Sequence, residues 1–323
     1  MIKVLLFLFL IFGFYGELFW GHPLSFNFNN MTGMEEVIYQ QIRVPRVLVS
    51  FFAGCSMTLA GLLIQSSTRN PLSSPSVLGL NSCASFFVCT YLVFDKVSKG
   101  ASLLGASLIG SLFGAILLFF MGHFVDAKKF PGRIILVGVC LGMMMSSLTN
   151  LVVILDENNT QSLIYWLLGG VDGKSWNDLQ WLAVPFSLCF LSSLFLIRPL
   201  ESLKLGDEMV LSLGHHPQKT RLLCLVLSLF LVSSVVAICG PLAFLGLIVP
   251  HLARKLFGER MKMLLPLGTL FGGVFLIYAD WFSRYIQFPY ETPVGILSGL
   301  LGGGLLFVLI DKREFGPCLS LFL

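Results

Sequence analysis

The sequence predicts an all-α integral membrane protein with about ten transmembrane helices. Three observations carry that expectation. Of 323 residues, 56% are hydrophobic and 12% charged, and mean hydropathy is +0.86. A soluble domain cannot bury that much apolar surface. Apolar runs recur at roughly 4–20, 45–66, 76–94, 101–124, 133–155, 179–197, 219–239, 242–257, 263–286 and 293–310. Most reach the ~20 residues that a helix needs to cross the hydrocarbon core. The 21 Lys and Arg divide unevenly, fifteen inside and six outside, when the N-terminus is put in the cytoplasm and the runs alternate. That excess is the positive-inside signature, and it places both termini in the cytoplasm. The whole chain, 1–323, reads as a single transmembrane domain.

The first run follows Lys3 but lacks a small-x-small cleavage site; Glu17, Phe19 and Trp20 come instead, so it reads as a retained span. In the outer loop after it, 34–42 has the pattern of an amphipathic interfacial helix. Arg43-Val44-Pro45-Arg46 then opens the second span, with Pro45 suited to a first helical turn. The two arginines read either as snorkelling anchors or as a docking site for an acidic partner. The second span ends in Thr68-Arg69-Asn70-Pro71-Leu72, continuing to Pro75, a defined inner turn.

Spans four, nine and ten carry glycines at helical spacing: Gly110 and Gly114, Gly268 and Gly272, then Gly295, Gly299 and Gly303. Such spacing lets helices approach closely. In the outer segment 156–178, Gly173-Lys174-Ser175 resembles a phosphate loop. The motif requires Gly where Leu168 stands, and no strand precedes it, so that reading is rejected. Trp166, Trp176 and Trp181 fit an aromatic belt.

The segment 205–214 is a short polar–apolar helix pattern between two apolar runs, closed by Gly214 and followed by Pro217. Leu205, Met209 and Ser212 share a face; Asp207, Glu208 and Leu211 lie on others. A compact helix in a basic inner loop is where a membrane protein hands force to a soluble partner. After the seventh run, Gly240-Pro241 marks a tight turn and Pro250 a kink, with His251 beside it near the inner face. A lone His in such a place is more often structural than a ligand. In the ninth run Asp280 and Arg284 are four apart on one helix face, a local ion pair near the outer end.

All eight cysteines but Cys318 lie in apolar runs and no CxxC occurs, so they read as small core residues. There is no metal-ligand spacing, nucleophile elbow or mid-span carboxylate pair. A conduit therefore fits better than a membrane-embedded enzyme, which would cluster such residues. It also fits better than an ion-coupled carrier, which would place ionisable groups mid-span. No cofactor is expected, and the net charge of +4 is explained by the inner basic collar without nucleic acid.

Four motifs then combine, in order along nearly the whole chain: Arg43-Val44-Pro45-Arg46, Thr68-Arg69-Asn70-Pro71-Leu72, Gly240-Pro241 through Pro250-His251, and Pro293-Val294-Gly295-Ile296-Leu297. Together they resemble the FecCD family, permease subunits of type II ABC importers for iron–siderophore complexes, haem and vitamin B12. The resemblance implies the ten-span permease fold in the bacterial inner membrane and an iron chelate as cargo, with haem, vitamin B12 or another metal complex as alternatives. It implies two cytoplasmic ATP-binding subunits that hydrolyse the ATP, a periplasmic or lipid-anchored binding protein, and a second permease copy or a homologous one. The 205–214 segment is then similar to the family's coupling helix, with Gly206, Asp207, Glu208, Met209, Leu213 and Gly214 as coupling residues. Met209 and Val210 replace two alanines of the family's Glu-Ala-Ala-x-x-x-Gly pattern. Arg43, Arg46 and Arg284 correspond to the arginines that meet acidic lobes of the binding protein, with Asp280 orienting Arg284. Asn70, Pro71, Gly240, Pro241, Pro250 and His251 are the expected pathway and gating turns.

Overall fold

A computed structural model describes residues 2–19, 33–95, 100–124, 132–156, 159–212, 214, 216–286 and 290–310. Among them there is no strand. The helices are α1 (Ile2–Phe19), α2 (Gly33–Ile38), α3 (Val44–Thr68), α4 (Leu80–Phe94), α5 (Ala101–Phe124), α6 (Gly132–Leu155), α7 (Thr160–Leu167), α8 (Trp176–Phe195), α9 (Ile197–Leu203), α10 (Asp207–Ser212), α11 (Pro217–Cys239), α12 (Leu245–Phe257), α13 (Met261–Ile286) and α14 (Val294–Ile310).

Each predicted apolar run coincides with a helix, but six helical segments among the described residues are long and apolar enough to cross a membrane. They are Glu36–Thr68, Ala101–Met121, Ile134–Leu155, Trp176–Phe195, Pro217–Cys239 and Met261–Ile286. Two of the others begin late for local reasons. The run at 76–94 yields helix only from Leu80, because the prolines and hydroxyls before it form successive turns, with Ser73 N–H donating to Asn70 O and Leu78 N–H to Ser74 O. The run at 242–257 starts its helix only at Leu245, after Phe244 in the left-handed region at φ 61°. Pro250 lies inside α12, which continues through it to Phe257.

The expected separate helix over 34–42 is instead continuous with the second span. Between α2 and α3 the chain widens into a π-helical turn, Tyr39–Arg43, in which Val44 N–H reaches back to Tyr39 O. Pro45 supplies the cause. It has no N–H to donate to the preceding turn, and its ring would strike the carbonyl four residues back. Widening the turn relieves both problems.

The interior is organised around α3, which is buried along nearly its whole length. Glycines make this possible. A Cβ at Gly61 would sit 2.0 Å from Gly246 O on the α12 side, and one at Gly54 would sit 2.3 Å from Gly272 O on α13. Gly110 and Gly114 of α5 likewise press on Cys83 of α4. The expected packing role fails for Gly299 and Gly303 of α14, which meet nothing within 4 Å. All described cysteines are free, and Cys140 is the exposed exception to the expected core placement; Cys318 lies outside the described residues.

Candidate functional site

The two ends of α3 each carry an ionic cluster. At its N-terminal end, Arg46 forks onto Asp280 of α13, with Nε to Oδ2 and Nη2 to Oδ1 both at 2.8 Å. Its third nitrogen, Nη1, donates to Glu291 Oε2 at 2.7 Å from the segment before α14. Arg284 Nη2 lies 3.4 Å from Asp280 Oδ2 and also pairs with Glu17 of α1. Arg46 and Arg284 are 7% and 8% exposed, Asp280 1% and Glu17 0%. Arg43, 7% exposed, lies one turn before Arg46.

This changes the expected roles. Asp280 is chiefly the partner of Arg46, not of Arg284. The Arg46 and Arg284 guanidiniums are engaged inside the chain, so neither is a surface anchor. Glu17 and Glu291 belong to the cluster and were not singled out from sequence. Glu17 was visible as a carboxylate at the end of an apolar run, a costly position that calls for a partner. Its partner lies too far along the chain for spacing to reveal.

At the C-terminal end of α3, Arg69 caps the helix in the left-handed conformation at φ 54°, its N–H donating to Gln65 O. Asn70 follows, and its Oδ1 accepts from Leu72 N–H at 2.9 Å, the side-chain turn that lets Pro71 redirect the chain. Arg69 Nη2 pairs with Asp207, the first residue of α10. Arg221 of α11 forks onto the same carboxylate at 3.0 and 2.8 Å. Burial pushes the Asp207 carboxyl up. The hydrogen bonds and positive charges of Arg221 and Arg69 outweigh that and hold it below the usual carboxylate range.

The short helix expected within 205–214 is thus present as α10. Gly206, at φ 113°, makes the joint from α9, and Gly214, at φ 78°, follows its end. Val210 is wholly buried, whereas Leu205, Met209 and Leu211 are 66%, 49% and 57% exposed. Leu205 and Met209 border an open hollow of about 620 Å³ shared with Arg69, Asp207, Glu208 and Ser212. Leu213 lies outside the described residues.

The six pathway residues lie in three parts of the chain. Asn70 and Pro71 sit at the Arg69 end of α3, Pro250 and His251 on α12, and Gly240 and Pro241 just beyond the C-terminus of α11. Gly240 belongs to a tightly knitted turn region: Gly170 N–H donates to Cys239 O and Gly295 N–H to Gly169 O, both at 2.9 Å. A Cβ on Gly240 would lie 2.3 Å from Trp166 O. A different feature was missed from sequence. Ser76, Ser82, Ser146, Ser147 and Asn150 line an open cavity of about 550 Å³ between the start of α4 and α6. Four of these polar residues interrupt predicted spans, which was the available signal.

The FecCD transport family model matches residues 1–312. Among curated proteins, the chain is 37% identical to the Fe(3+)-citrate import system permease protein YfmD of Bacillus subtilis, over 86% of this chain and 82% of that one. It is 35% identical to the Fe(3+) dicitrate transport system permease protein FecD of Escherichia coli, over 82% of each. Among solved structures, it aligns with an inward-facing metal-chelate type ABC transporter at TM-score 0.83 and 30% identity, covering 95% of this chain and 97% of that one. PsaBC of Streptococcus pneumoniae, at 15% identity and TM-score 0.58, shares the fold alone.

Proposed function

The chain belongs to the FecCD transport family, and from that premise we propose that it is the membrane-crossing subunit of an ATP-driven importer that carries an iron chelate of the ferric citrate type. ATP hydrolysis belongs to two separate cytoplasmic subunits. The chain crosses the inner membrane ten times with both termini inside. Four shorter helices, α1, α4, α12 and α14, complete the six long ones.

The observation that carries this reading is α10. Val210 pins the helix to the core while Leu205, Met209 and Leu211 stand in solvent on a basic loop. Apolar side chains displayed around one buried anchor are what a partner's groove takes up. The ATP-binding subunit is that partner.

A second permease copy covers the side where α14 leaves Gly299 and Gly303 open and α6 leaves Met143, Met144, Leu151 and Ile154 exposed. The hydroxyl-lined cavity beside α6 then faces the route between the copies. Its Ser and Asn groups suit an oxygen-rich chelate without gripping it. Because Arg46 and Arg284 are already paired inside the chain, docking of a binding protein on Arg43, Arg46 and Arg284 requires its acidic lobes to compete with Asp280, Glu17 and Glu291, which gives orientation more than raw affinity.

Reconstitution in liposomes tests the reading. Permease, ATP-binding subunit and binding protein together take up ferric citrate only with ATP, and Met209→Glu releases the ATP-binding subunit from the purified complex. Uptake driven by an ion gradient without that subunit would overturn it. Comparing ferric citrate with haem and cobalamin separates the cargo classes.

A further inference from the structure

At the C-terminal end of α3, groups from three distant parts of the chain converge on one carboxylate. Asp207 opens α10, Arg69 caps α3, and Arg221 lies in the second turn of α11. Arg221 does double duty. While its two terminal nitrogens hold Asp207, its Nε donates to Ser67 O, near the end of α3, at 3.2 Å. One guanidinium therefore joins α11, α3 and α10.

These groups add little to stability. The Arg69, Asp207 and Arg221 side chains are 35%, 45% and 39% exposed. Pairs so exposed gain little, because water screens them. Their geometry does more than their energy. A bidentate arginine–carboxylate fork fixes direction as well as distance. Without it, among the described residues, Val210 is the buried side chain that holds α10, beside a joint at Gly206 whose φ of 113° suits glycine. A helix held at one point beside such a joint swivels.

The two receiving helices continue through the molecule side by side, with Ser228 Oγ of α11 donating to Ala60 O of α3 at 3.3 Å. A displacement of α10 transmitted at Asp207 therefore reaches both long helices at once. We propose that Asp207 is the positioning residue through which movement of α10 is handed to the transmembrane helices, with Arg69 and Arg221 as its receivers. This rests on the reading above, that α10 meets the ATP-binding subunit. The carboxylate is the rigid link, and swivelling at Gly206 is what it prevents.

The test uses the complete transporter in liposomes, with ferric citrate uptake and ATP hydrolysis measured on the same sample. For Asp207→Asn, the ATP-binding subunit still co-purifies and the unfolding temperature holds, but uptake per ATP falls about five-fold or more, the scale of an ordinary coupling free energy. Asp207→Glu recovers part of the loss, and Asp207→Asn combined with Arg221→Ala is no worse than the worse single change. Unchanged uptake per ATP in Asp207→Asn overturns the proposal. So does loss of the ATP-binding subunit from Asp207→Asn, which would make Asp207 a direct contact. The underlying reading fails separately: if Met209→Glu keeps the ATP-binding subunit bound, α10 is not the meeting point, whatever Asp207→Asn does.

Discussion

The two ionic clusters at the ends of α3 use the same chemistry in opposite settings. At one end Arg46 and Asp280 are 7% and 1% exposed, within a group that also includes Arg284, Glu17 and Glu291. At the other, the three side chains are all more than a third exposed. Burial strengthens each attraction and raises the cost of breaking it, because a charge left behind has no water to turn to. Exposure screens the pair and makes it cheap to remake. A buried cluster therefore fixes where helices stand, and an exposed one lets a short helix change its aim.

The largest expected effect tests the buried end. Asp280→Ala leaves the Arg46 and Arg284 guanidiniums short of a carboxylate and costs ~3–5 kcal/mol. It appears as a collapse of folded yield and of thermal unfolding temperature in detergent. A loss no greater than that of Asp207→Asn would erase the contrast between the ends.

Next comes Gly61→Val, which tests whether α3 has any slack between its ends. Its Cβ would stand 2.0 Å from a backbone carbonyl, so the helices must part at a cost of ~1–3 kcal/mol or more. Thermal unfolding reads this too, and a silent substitution would mean that α3 is not the closely clasped centre.

Asp207→Asn sharpens the comparison from the weak side. Its expected stability loss is at most ~1 kcal/mol, measured against wild type in the same detergent.

The smallest effect is in pH and salt. The folded-state carboxyl of Asp207 is held below its usual value by Arg221 and Arg69 against the upward push of burial. Its contribution is therefore fully present above the unfolded value of ~4 and is lost as pH falls through the lower folded value. Hydrogen exchange at α10 amides rises in that acid window, and also on adding salt near neutrality. Amides of α3 beside Arg46 do not respond to salt. Equal responses at both ends would break the distinction.

Much of this architecture was legible in the sequence. Apolar runs located every long helix, because lipid imposes one composition on whatever crosses it. Gly214 was read as closing the short helix and does follow its end, since helix ends are written in local residues, but Leu205 and Gly206 lie before α10 and not in it. What escaped was local competition and long-range partnership. Pro45 stands in the first turn of α3 as expected, but the π-helical turn before it, which joins 34–42 to the second span, was not foreseen. Asp280 was paired with Arg284 because they are four apart, whereas the better partner, Arg46, lies 234 positions away. Arg221 gave no sign of reaching Asp207, since nothing in a sequence says which loops meet.

That separation of 234 positions has a consequence for how the protein is made. Arg46 is synthesised and inserted long before Asp280, and Glu291 is later still. During that interval its charge must stay near the headgroups, because neither of its own partners, Asp280 and Glu291, yet exists to receive it deeper in. Final seating of the first half of the chain thus waits for the last.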